Sequence, residues 1–183
     1  MKSVIVSSTL PLMMAVTAMA SLPGSAFAGE SDKQFFQTVE GKWTGPGEIV
    51  AGKYKGTRFT CSFQGSSPEL KTGMTLDGSC RVGVFTQKMT AIVEHKGRSG
   101  YKGSFMGGAS GEGLDIVAGN VDPRKVVFAI NRKQLDGVMQ ARIPDDDSMI
   151  VTVSVKVDKQ VVPVIGMNLK RVGEKPVGKL ARN

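Results

Sequence analysis

The sequence predicts an all-β protein: a single antiparallel up-and-down β-barrel of about eight to ten strands with a short N-terminal helix. Three observations carry this. From Lys42 onward, apolar and polar residues alternate with period two. Turns rich in Gly, Pro and Asp break the alternation at short, regular intervals. The one stretch with helical spacing, Phe35, Phe36 and Val39, comes before the alternation begins. Short hairpin connections favour a meander, and closing it removes exposed strand edges. An open sandwich is the alternative architecture.

The first 28 residues stand apart from this pattern. Lys2 is followed by an apolar run from Val4 to Ala20, broken by Pro11, and then by Ala26-Phe27-Ala28. A basic start, an apolar centre and an A-x-A ending predict a secretory signal peptide cut after Ala28. A transmembrane anchor fits less well, because Pro11 and scattered Ser and Thr interrupt the run. No twin arginine precedes it, so the general secretion route to the periplasm is expected, with release from the cell as the alternative. The division is then a signal at 1–28, a barrel domain at 29–172 and a mobile charged tail at 173–183. No transmembrane span is left after cleavage.

The whole chain has a net charge of +8, and removing Lys2 with the signal leaves +7. Such a charge suits an anionic envelope surface or an envelope protein as partner. The basic residues are spread along the chain, so solubility alone is the favoured reading. Nucleic acid is not an expected partner of an exported protein.

Each element follows from its own pattern. Ser31 or Asp32 can cap a helix that runs to Glu40. The first strand spans about Lys42 to Ala51, with Trp43, Gly45, Gly47 and Ile49 on one face. Strand two spans about Thr57 to Gln64, with Phe59, Cys61 and Phe63 in phase, and Gly65 to Pro68 turns the chain. Strand three spans about Lys71 to Val82, with Met74, Leu76 and Cys80 in phase. A hairpin centred between Leu70 and Lys71 puts Cys61 across from Cys80, both on the apolar face. One structural disulfide is therefore expected.

Strand four runs about Val84 to His95 and strand five Tyr101 to Met106. Strand six runs Leu114 to Val121, with Leu114, Ile116 and Ala118 in phase. Asp122 to Lys125 turns into strand seven, Val126 to Asn131, where Val126, Phe128 and Ile130 alternate. Strand eight is Val138 to Ile143, followed by a turn at Pro144 to Asp147. Strand nine is the most regular: Met149, Val151, Val153, Val155 and Val157 face one way. Strand ten runs Val161 to Arg171, with Ile165, Met167 and Leu169 in phase.

Gly41-Lys42-Trp43, placed after a short helix and at the start of the first strand, resembles the G-x-W motif of the calycin superfamily, the group of lipocalins, fatty-acid-binding proteins and avidins. The resemblance implies a barrel plugged by the tryptophan, with a basic residue from the end of the last strand packed over it. By position that residue is Arg171, so Gly41, Trp43 and Arg171 form the implied plug. The start Trp43-Thr44-Gly45-Pro46-Gly47 with the Cys61 and Cys80 pair also resembles small exported α-proteobacterial proteins of unassigned function. The other lipocalin motifs are absent, and so are the partners of an avidin biotin site.

No constellation points to catalysis. His95 reads as an exposed strand end rather than a base. Asp145, Asp146 and Asp147 read as a solvated turn, since three consecutive side chains do not converge on a cation. Gly107 to Gly113 lacks the Lys-Ser/Thr of a phosphate loop, and Ser110 has no G-x-S-x-G frame. No catalytic residue, metal ligand or cofactor is expected. The strand methionines Met74, Met89, Met106, Met139, Met149 and Met167 suit an adaptable interior. The expected function is non-enzymatic binding of a small apolar or amphipathic ligand, lined by Phe59, Phe63, Met74, Leu76, Phe105, Phe128, Val151, Val153 and Met167. The alternative is an envelope structural or interaction protein with a filled barrel.

Overall fold

A computed structural model describes residues 27–107, 113–133 and 135–173, with side chains from Gly29 onward. The signal peptide expected at 1–28, except for its last two residues, lies outside these. So do the loop residues 108–112, with Ser110 among them, and the tail from 174.

Helix α1 covers Phe27–Thr38. It begins four residues before the expected cap at Ser31, so the expected cleavage point after Ala28 falls within its first turn. Its Phe35 and Phe36 are buried, as is Val39 just beyond its end. Val39 and Glu40 then donate to the carbonyls of Phe36 and Gln37 at 3.1 and 3.2 Å, tightening the last turn. Gly41 follows with φ 100, a conformation that penalises any Cβ. This glycine opens the sheet three positions after the helix ends.

Ten strands follow: β1 Gly41–Ile49, β2 Arg58–Ser66, β3 Gly73–Val82, β4 Phe85–His95 and β5 Tyr101–Gly107, then β6 Gly113–Asp122, β7 Lys125–Arg132, β8 Leu135–Asp145, β9 Ser148–Val157 and β10 Gln160–Val172. Each pairs antiparallel with its sequence neighbours, and β1 pairs with β10, closing the barrel. Closure rules out the open sandwich. Along β2 the exposed side chains are Arg58, Thr60, Ser62 and Gln64, whereas Cys61 and Phe63 are buried. Polar outside and apolar inside is the reverse of a membrane-spanning barrel. No helix among the described residues is long and apolar enough to cross a membrane.

The pairing slips at three places, between Arg142 and Asp145 on β8, between Pro163 and Ile165 on β10, and on β6. Its register against β7 shifts between Ile116 and Ala118. The bulge inserts one residue, so the phase flips beyond it. Ile116 is buried, but Ala118 is exposed rather than in phase with it. A Cβ at Gly119 would instead lie 2.6 Å from the Phe128 ring, inside the barrel. Beyond the bulge, the even positions point outward and the odd positions inward.

The two barrel ends differ. At one end, α1 lies across the opening and packs with Trp43, Val93, Tyr101, Val126 and Leu169 into a solid layer. At the other end, the hairpins β1–β2, β3–β4, β7–β8 and β9–β10 surround an opening. A ten-stranded barrel is wider than side chains alone readily fill. The helix fills one half and leaves a cavity in the other.

Candidate functional site

Arg171 locks the closed end. It is the register partner of Trp43 on the neighbouring strand. Its guanidinium lies 4.2 Å from the centroid of the Trp43 ring. It also donates to the carbonyls of Thr38 at 2.8 Å and Asp146 at 2.9 Å, and to that of Glu40. Thr38 ends α1 and Glu40 follows two residues later, where free carbonyls attract a cation. The Trp43 indole N–H donates to the Val39 carbonyl at 2.8 Å. One tryptophan and one arginine thus tie helix, first strand and last strand together. The Asp145–Asp147 turn serves the same lock: the Arg171 amide donates to the Asp147 carbonyl at 3.0 Å. Among the described residues, no group of three or more His, Cys, Asp or Glu is arranged to hold a metal.

A second tie was not legible in the sequence. The Tyr101 hydroxyl donates to the Asp32 carboxylate of α1 at 2.5 Å. Burial, with help from the Asp32 charge, pushes the Tyr101 phenol far above its ordinary value. His95 is exposed and packs its ring edge-on against Tyr101, 5.0 Å between centroids. This places His95 at the closed end, away from the open half.

The cavity has a volume of about 340 Å³. Phe35 of α1 and Val39 just after it form its floor. Phe59, Phe63, Met74, Leu76, Phe105, Val151, Val153 and Met167 all line it. Phe128 does not: it is fully buried in the solid layer, with its ring 6.1 Å from that of Tyr101 and against Gly119. It shares the inward face of β7 with Val126 and Ile130, which do line the cavity, but its ring lies over Gly119 and toward Tyr101 instead. Met106 is likewise off the wall and points outward, while the other five strand methionines line the cavity. Ile49, Leu114 and Ile165 also line the wall and were missed, although each holds an inward position of its strand.

Polar side chains on the wall are limited to Gln87 and Thr90. Both already have partners: Thr90 donates to Asp77 at 2.8 Å and Gln87 to the Lys88 carbonyl at 3.0 Å. Water entering this space would find few hydrogen bonds, and apolar matter would find a fitted wall. Gln87 and Val82 are exposed as well as lining, so the cavity reaches the surface beside the β3–β4 hairpin.

The Cys61–Cys80 disulfide is present, with 4.0 Å between the Cα atoms of directly opposed residues. Cys80 lines the cavity and Cys61 is buried behind it. The bond pins β2 to β3 at mid-height. Glycines shape the wall around it. A Cβ at Gly47 would lie 2.2 Å from the Phe59 ring, and one at Gly78 would lie 2.8 Å from the Phe63 ring. These glycines leave room for the aromatic side chains.

No protein-family model and no curated protein sequence matches the chain. Among solved structures, it is similar to Rv2717c from M. tuberculosis, with a TM-score of 0.59 at 13% identity. The match covers 78% of this chain and 98% of that one. At such low identity, the likeness establishes a shared barrel fold.

Proposed function

We propose that the protein is a non-enzymatic, calycin-like β-barrel that carries a small apolar or amphipathic ligand in its open half, and that it is exported to the periplasm through a cleaved signal peptide. The observation that carries the reading is the cavity itself. Its volume of about 340 Å³ lies within the range of small-molecule sites. Its wall offers apolar contact and almost no free hydrogen-bonding groups, which favours a hydrocarbon-like ligand body. Each methylene moved from water into such a wall contributes roughly 0.8 kcal/mol.

The calycin-like reading is supported by the Gly41 conformation and the Trp43–Arg171 stacking, both at the positions the motif implies. Export is supported by the signal-like N-terminus and by the Cys61–Cys80 bond, which suits an oxidising compartment. The test is displacement of an environment-sensitive apolar dye by medium-chain fatty acids and alcohols. Dye uptake should fall at least tenfold in Leu76→Trp and Val153→Phe, which fill the wall from opposite sides. Unchanged uptake in both folded variants would overturn the proposed site.

A further inference from the structure

The open end of the barrel has an unusual surface. Tyr54, Val84, Phe85, Leu135, Val157 and Val161 are among the thirteen exposed large apolar side chains of the described residues. They sit on four separate hairpins ringing the opening. Val84 and Phe85 protrude most, with 89% and 79% of their surface exposed. The two-residue turn Gly83-Val84, with Gly83 at φ 57, holds Val84 at the tip and pairs Phe85 with Val82. Soluble proteins rarely place large apolar side chains together in this way without a partner.

The charge at this end is also unbalanced. Within three residues of these hairpins and of the described ends of β5 and β6, nine basic side chains face four acidic ones. Over the rest of the described residues, eleven basic side chains face ten acidic ones. Lys53, Lys55, Arg81, Lys88, Lys156 and Lys159 belong to the basic set. The excess charge of the described chain is therefore concentrated around the mouth.

We propose that the open end docks on an anionic lipid surface, with the Val84-Phe85 tip and its neighbours entering the interface and the lysines meeting headgroups. Three features select this occupant. A ring of apolar tips on separate hairpins, with a hollow at its centre, suits a deformable surface better than a rigid matching one. The collar of cations complements anionic headgroups. A second copy of the chain would present the same excess of positive charge and be repelled. The cavity also opens inside the ring, beside Val82 and Gln87, so a docked barrel would face the bilayer with its apolar interior. The surface stands independently of whether the cavity carries a ligand.

The test is cosedimentation of the protein with vesicles of phosphatidylglycerol and phosphatidylcholine, and with vesicles of phosphatidylcholine alone. All variants keep the same N-terminus. The wild type should bind the anionic vesicles, with affinity falling as salt rises. The pair Val84→Ser and Phe85→Ser together should weaken binding on the order of tenfold, since two exposed apolar side chains are lost from the interface. Leu70→Ser alters a residue that is 97% exposed at the opposite end, and should bind like the wild type. No binding to anionic vesicles, equal binding to neutral ones, or equal loss in the Leu70 variant would overturn the proposal. So would undiminished binding by the Val84 and Phe85 pair.

Discussion

Replacing Trp43 by Ala probes the closed end most sharply. The side chain is fully buried. Truncating a buried aromatic to Ala costs about 3–5 kcal/mol through lost contacts and the cavity left behind. The Val39 carbonyl also loses its indole donor, which costs about 1 kcal/mol or more if nothing replaces it. The guanidinium of Arg171 loses its aromatic face, worth roughly 1 kcal/mol. These losses overlap, so the expected total is about 4–6 kcal/mol. A domain of this size has about 5–15 kcal/mol in all, so the loss is a large share of the total stability.

Urea unfolding followed by far-ultraviolet circular dichroism measures this directly. Trp43→Phe keeps most of the ring and should lose only about 2 kcal/mol, which keeps the comparison measurable. Arg171→Met keeps the stem but loses the three carbonyl contacts, and should cost about 2–3 kcal/mol. The double variant should fall short of the sum by about 1 kcal/mol, the stacking energy. A Trp43→Ala protein destabilised by less than about 1 kcal/mol would refute the lock.

Further expectations concern the wall, the disulfide and pH. A Cβ at Gly45 would lie 2.0 Å from the Asn168 carbonyl oxygen, a backbone atom, whereas at Gly47 it meets the movable Phe59 ring. Gly45→Ala should therefore lower the melting temperature far more than Gly47→Ala, while Gly47→Ala should push Phe59 into the cavity and weaken dye uptake. Replacing both Cys61 and Cys80 by Ser opens a loop spanning 19 positions and should cost about 3 kcal/mol in chemical unfolding. The Tyr101 phenol is raised in the fold, so its contribution is complete below the unfolded value of about 10 and is lost as pH climbs above it. Alkaline unfolding should be less steep in Tyr101→Phe, although that variant starts less stable at neutral pH for lack of the Asp32 bond. Asp145 is held below the ordinary carboxylate range mainly by hydrogen bonds from Ser148 and the Asp147 amide. Its contribution is present above about 4 and fades as pH falls through the lowered value, so Asp145→Asn should flatten the acid limb of a melting-temperature profile.

Much of the fold could be read from side-chain period. Met149 to Val157 could only alternate across a sheet, and the hairpin centre between Leu70 and Lys71 fixed the cysteine register. Gly41 was legible through its motif, and its φ of 100 supplies the physical reason. What escaped was information that period does not carry. Nothing in Leu114-Ile116-Ala118 signals that a bulge will flip the last of them outward. Phe128 and Phe105 look alike in sequence, but the Phe128 ring is taken up against Gly119 and Tyr101 of other strands while Phe105 faces the cavity. The basic mouth was invisible for a different reason. Its lysines are scattered along the sequence, and only the antiparallel meander returns them to one rim.

The central claim is that the open half of the barrel holds an apolar ligand. Native mass spectrometry of protein purified without detergent from its own envelope tests it most directly. The expected spectrum shows a discrete added mass, lost on denaturation and absent from Leu76→Trp, on a chain that begins at Gly29 and is two hydrogens light. A bare chain that takes up no apolar compound when titrated in the same instrument would contradict it.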